Sequence, residues 1–240
     1  MKGTIVVLGS KSNAPLPDVA APYVVTANNA VERGTLYRER HGSRLIAMVP
    51  SEEFRNREHL RASFIKSRPD EIVILSGTED DRAYIHSLGL SDAEISIIGR
   101  KERNGLMAKA LGWRVCRVMA ERLWHRGAKH FFLTAVPDLF GKGERSWQTG
   151  STGLDAIFYS LQRFPDADIV AAGIGLEEGG HFTGVGEFTS KTARADRTTM
   201  KHWQPRRRWN VSSTDDTMID RGGMPRWKGK ILGVKDNPVT

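Results

Sequence analysis

Gly150-Ser151-Thr152-Gly153-Leu154, followed by Ile169-Val170-Ala171-Ala172-Gly173, is the stretch whose reading decides the fold. The first group is a small-residue turn that opens an apolar segment. It starts a helix over about 152–164, with Ser151 or Thr152 where an N-cap belongs. The second is a short unbroken apolar run, the pattern of a strand covered on both faces, and places a strand over 168–172. A helix feeding a buried strand is the repeating unit of a parallel sheet.

Working outward, the same unit recurs. Apolar, β-branched runs predict strands at Thr4–Leu8, Tyr23–Ala27, Leu45–Val49, Glu71–Ser76, Ile95–Ile98 and Phe131–Thr134. Helical patterns fill 30–41, 51–67, 80–88 and 189–203. A single long amphipathic helix over 104–126 carries Leu106, Leu111, Val115, Val118, Met119 and Leu123 at helical spacing. Lys11–Pro22 holds three prolines and reads as a loop. The fold class is α/β, a Rossmann-like doubly wound and mostly parallel sheet. One domain spans 1–203, and 204–240 reads as a basic, aromatic C-terminal arm or lid.

The 240 residues carry 36 Lys and Arg against 28 Asp and Glu, a net charge of +8. That balance favours an anionic partner, such as a nucleotide, a nucleic acid or a membrane surface. No apolar run approaches the roughly 20 residues that cross a bilayer. The N-terminus reads as a strand rather than a secretory signal, and one cysteine, Cys116, makes neither a disulfide framework nor a multi-thiolate zinc site. These features fit a cytoplasmic protein. Cys116 reads as a core or semi-buried residue of the long helix. Arg55, Arg57, Arg61, Lys66 and Arg68 interleave with acids as a solvated helix face.

Ligands of open parallel sheets collect at the carboxyl ends of the strands. Four loops fall on that edge: Gly9-Ser10-Lys11, Asn28-Asn29, Gly150–Gly153 and Gly173–His181. Gly9-Ser10 lacks the glycine spacing of a dinucleotide fingerprint or a P-loop, and serves equally as a tight turn. Ser151, Thr152 and Gly153 suit an anion, because a helix N-terminus offers free N–H groups and a positive dipole end. They suit an ordinary capped helix as well. His181, after a glycine pair, is placed to donate to a phosphate or to protonate a leaving group. His125 and His130 lack a third ligand nearby, so no metal site is expected.

The order of these loops resembles the sialyltransferase-type glycosyltransferases of family 29, especially bacterial relatives that use CMP-activated sugars. Val6–Ser10 through Val24–Asn28 is similar to the family's long motif, Ser151–Leu154 through Ile169–Gly173 to its short motif, and Gly180-His181-Phe182 to its third. The resemblance implies a metal-independent glycosyltransferase with no cofactor, taking a nucleotide sugar as donor. Gly9, Ser10 and Asn28 would lie near the donor's phosphate or ribose, Ser151, Thr152 and Gly153 would hold the cytidine and phosphate, and His181 would stabilise the departing phosphate. The family's last motif puts a histidine base before an acidic residue. Here Thr192 stands in its place ahead of Asp196, and a threonine is no base near neutral pH. Asp196, Glu187 or His202 is then the candidate base.

Two other functions remain open at this point. Arg206-Arg207-Arg208 between Trp203 and Trp209 is a pattern that tracks a phosphate backbone and stacks on bases, which suits a nucleic-acid-binding or DNA-modifying protein. The missing histidine suits a catalytically inactive nucleotide-binding domain.

Overall fold

The computed structural model describes residues 3–11, 14–126, 150–176, 191–203 and 210–232. The expected strand at 131–134, the Gly179–His181 turn, and Arg206–Arg208 lie outside the described residues.

Seven parallel strands form one sheet: β1 (Thr4–Leu8), β2 (Tyr23–Ala27), β3 (Arg44–Pro50), β4 (Glu71–Leu75), β5 (Glu94–Ile98), β6 (Asp168–Ala172) and β7 (Val211–Ser213). Their order across the sheet is β5-β4-β3-β2-β1-β6-β7. The side-chain period of two sorts each strand's apolar residues into two cores. Ile5, Val7, Val25, Ile46, Met48 and Val73 face one side, and Val6, Leu8, Val24, Leu45, Ala47 and Ile72 the other. Helices cover both faces, so the doubly wound α/β architecture read from the sequence is the one observed.

Helices α1 (Val31–His41), α2 (Ser51–Asn56), α3 (Glu58–Ser67) and α4 (Glu79–Ser87) pack on the second face through Tyr37, Phe54, Phe64 and Ile85. The first face carries α5 (Arg100–Leu111), α6 (Val115–Arg126), α7 (Thr152–Arg163), α8 (Lys191–His202) and α9 (Asp216–Asp220). Phe158 of α7 is fully buried with the Trp203 ring edge-on at 5.1 Å. Truncating such a residue to alanine costs about 3–5 kcal/mol.

Several local expectations are corrected. The helix expected over 51–67 breaks at Arg57, whose backbone is extended (φ −113°, ψ 104°). The long helix expected over 104–126 begins earlier, at Arg100, and is cut at Gly112, where φ is +59°. Apolar periodicity continues through both breaks, so it does not reveal them. Cys116, read as a core or semi-buried residue, is exposed, because α6 turns the opposite side, with Val118, into the core. Within 204–240, read as an arm or lid, Val211–Ser213 joins the sheet beside β6, and Met218 and Met224 are buried in the first core.

The chain winds from β1 outward to β5, then crosses to the far side of β1 to form β6. Strand order therefore reverses between β1 and β6. The carboxyl ends of those two strands are where such a sheet holds a ligand.

Candidate functional site

At this reversal the backbones of Gly9 and Gly173 nearly touch. Gly9 N–H donates to Ala172 O (2.8 Å) and Lys11 N–H to Gly173 O (3.0 Å). A Cβ on Gly9 would stand 2.3 Å from Gly173 O, and Gly173 itself has φ +71°. Only glycine satisfies both positions.

Ser10 ties the β1 loop to the end of β2, its hydroxyl donating to Ala27 O at 3.0 Å. The next residue, Asn28, is held in the left-handed region at φ +54°. Its side-chain Oδ1 is buried and has no hydrogen-bond partner among the described residues, and the same is true of Asn29 Oδ1. A buried amide oxygen left unpaired costs about 1–3 kcal/mol, so it marks a place that a ligand donor can satisfy.

Lys11 completes this edge. Its ammonium reaches across to Asp215 Oδ1 at 3.0 Å, and its stem lies 3.2 Å from where a Cβ of Gly175 would be. Asp215, nearly fully buried, also accepts from the Thr217 N–H (3.0 Å) and so caps α9. Its second oxygen, Oδ2, is buried without a partner among the described residues. The buried guanidinium of Arg33 fixes the loop from behind, donating to Lys11 O and Ala14 O at 2.9 Å each.

The α7 N-terminus sits on the same edge: a Cβ on Gly153 would be 3.0 Å from Ile174 Cγ2, just past β6. Ser151 is the N-cap, its hydroxyl accepting from Leu154 N–H at 3.3 Å. Its own N–H donates to Asp196 Oδ1 (3.0 Å), a carboxylate 1% exposed on α8. Asp155, in the first turn and equally buried, takes Nε of Arg103 at 2.7 Å. Arg122, on α6, donates to Ala195 O (3.0 Å) and Thr199 Oγ1 (2.6 Å).

Two buried carboxylates thus share two arginines around one helix end. Burial pushes the Asp155 carboxyl up to about 6, opposed by Arg103 and reinforced by Asp196. Burial also raises Asp196, against its hydrogen bonds from Ser151 and the pull of Arg122 and Arg103.

The residues proposed from sequence therefore divide. Gly9 and Ser10 follow β1 at the β1/β6 reversal, and Asn28 follows the neighbouring β2, to whose end Ser10 is tied. Ser151, Thr152 and Gly153 lie on that edge, Thr152 buried and the other two half-buried. The helix dipole there is already answered by Asp196 and Asp155, and Gly153 serves close packing on Ile174. Asp196, read as a candidate base, is a buried clamp on the Ser151 amide, which makes it a positioning residue. His181 and Glu187 lie outside the described residues. Thr192 falls one turn before Asp196 on α8, and His202 Nε2 is engaged with Glu121 Oε2 at 2.8 Å.

Sequence reasoning did not single out Lys11, Arg33, Arg103, Asp155 or Asp215. Lys11 stood in a candidate loop, whereas Asp215 follows the short, polar strand β7, which its own sequence does not announce. The arginines carried no such local signal. Among the described residues no three His, Cys, Asp or Glu side chains converge as metal ligands. Comparison with protein-family models, with curated proteins and with solved structures finds no match.

Proposed function

We propose that this protein is a glycosyltransferase that takes a nucleotide-activated sugar, a CMP-linked donor, and passes the sugar to an acceptor hydroxyl. The observation that carries the proposal is Asn28: a buried, unpartnered amide oxygen at positive φ, beside the Gly9/Gly173 approach where strand order reverses. A nucleotide amine or ribose hydroxyl is the kind of donor that satisfies it. The Lys11 ammonium, about one-third exposed, supplies positive charge for the nucleotide phosphate on the same edge.

In the transfer, the acceptor oxygen forms a bond to the anomeric carbon as the bond from that carbon to the phosphate oxygen breaks. The electron pair leaves with CMP, and the acceptor proton passes to a base. His181 steadies or protonates the departing phosphate, a role worth about 10²–10⁴ in rate. Asp196 acts through Ser151, holding the α7 terminus in place.

The experiment is a thermal-shift series with CMP, CDP, UDP, GDP and ADP. CMP at about a hundred times its Kd raises Tm by roughly 5–10 °C, and Asn28→Ala abolishes the shift. No shift with any of the five nucleotides overturns the proposal. Transfer from a labelled CMP-sugar, greatly slowed in His181→Ala, separates an active enzyme from a domain that only binds.

A further inference from the structure

Away from the crevice, the turn between α5 and α6 and the outer face of α6 carry two indoles in solvent. Trp113 is 65% exposed and Trp124 85%. Trp113, Arg117, Ala120 and Trp124 follow one another at steps of four, three and four residues, and all four are exposed. That spacing lays them along one side, roughly 16 Å from end to end at 1.5 Å per residue. Cys116 adds a fifth exposed, uncharged position. The opposite side of α6 is inside the fold, with Val118 fully buried and Arg122 nearly so.

The segment that carries this face is rich in cations. Residues 100–126 hold eight Lys and Arg against two Glu. Arg103 and Arg122 are engaged inside the fold, while Arg100, Lys101, Lys109 and Arg117 are exposed, as is Glu102. The Arg117 guanidinium lies over the Trp113 ring at 4.6 Å. The acid on α6, Glu121, is taken by Lys201 at 3.1 Å and His202 at 2.8 Å, both on α8. Glu121 is the one acid in the sequence of α6.

We infer that this face docks on an anionic lipid surface. Indole is the side chain that favours the boundary between headgroups and acyl chains, where its body is apolar and its N–H stays wet. Lys109 and Arg117 supply the attraction to anionic headgroups, and small residues between the indoles let the face lie flat. A nucleic acid is the poorer fit, because the centre of the stripe is Cys116 and Ala120 rather than a row of cations at phosphate spacing. The face is separate from the β1/β6 crevice, so the inference stands whether or not the protein transfers a sugar.

The test is co-sedimentation of the full chain with vesicles of phosphatidylcholine alone and of phosphatidylcholine with 30% phosphatidylglycerol, at low and high salt. Binding to the anionic vesicles exceeds that to the neutral ones by about tenfold or more and weakens with salt. Trp113→Ala with Trp124→Ala removes most of it, and Arg117→Glu lowers it further. Both indoles are solvent-exposed, so the variants keep the Tm of the parent, and a Tm match is the control for folding. Three results overturn the inference. One is no sedimentation at low salt. Another is undiminished binding by the folded double variant. The third is loss of self-association or of duplex-DNA binding, rather than lipid binding, when the indoles are removed.

Discussion

The amino and carboxyl edges of the sheet each bury a carboxylate against arginine, and they handle the charge differently. At the amino edge, Glu71 opens β4 fully buried, and its Oε1 accepts from Arg163, from Tyr159 (3.2 Å) and from Ser96 (3.2 Å). A single acid is surrounded by three donors, and burial with the nearby Glu71 pushes the Tyr159 phenol up to about 12. At the carboxyl edge two acids, Asp155 and Asp196, share a site, and Asp196 adds to the cost of ionising Asp155. The first arrangement is a staple. The second is a strained charge cluster kept next to the crevice, where parallel strands and helix N-termini concentrate polar groups by geometry.

Arg103→Ala strikes this difference hardest. It leaves two buried acids with one arginine fewer and destabilises by about 3–5 kcal/mol in urea unfolding. Arg163→Ala costs less, about 1–3 kcal/mol, since Arg163 is partly solvent-exposed and Tyr159 and Ser96 still donate. Equal losses would erase the distinction between the edges.

The next effect is a pH dependence. Asp155 ionises near 6 when folded and near 3.9 when unfolded, so the folded state holds more protons between those values. Its contribution is fully present below about pH 4 and is lost as pH rises through 6, a decline of about 3 kcal/mol. Asp155→Asn flattens that slope, as unfolding at several pH values measures. The smallest change is Ser151→Ala, which removes the acceptor for Leu154 N–H and the hydroxyl's hydrogen bond to Asp196 but keeps the backbone N–H contact to that carboxylate, and costs about 1–2 kcal/mol.

The strands were legible because β1 to β6 are short, largely apolar runs, the pattern of parallel strands covered on both faces. β7 was not, because Ser212 and Ser213 make two of its three residues and its burial comes from its neighbours. The crevice was half legible. Gly9, Ser10 and Asn28 follow strands directly, so strand ends place them. The fate of the Ser151 amide depends on Asp196, 45 residues further along, and a capped terminus and an open anion seat share one local sequence. Arg103 and Arg122 read as surface charges on amphipathic helices. Only the packing of α5 against α7 and of α6 against α8 turns them inward.

The loop pinned by Arg33 has a consequence for how the chain is made. Among the described residues, the connection from β1 to β2 contains no helix, and its partners come from the other end of the sequence. Thr214 donates to Pro15 O from 199 residues away, Leu232 N–H to Leu16 O, and Pro17 bridges Ile231. At about 5–20 residues per second, the ribosome needs roughly 10–40 s to deliver those partners after the loop has emerged. Through that interval the first strands have their sequence but not their cover. The molecule closes by stitching this loop to a segment made about 200 residues later, and these contacts of long sequence separation frame the crevice.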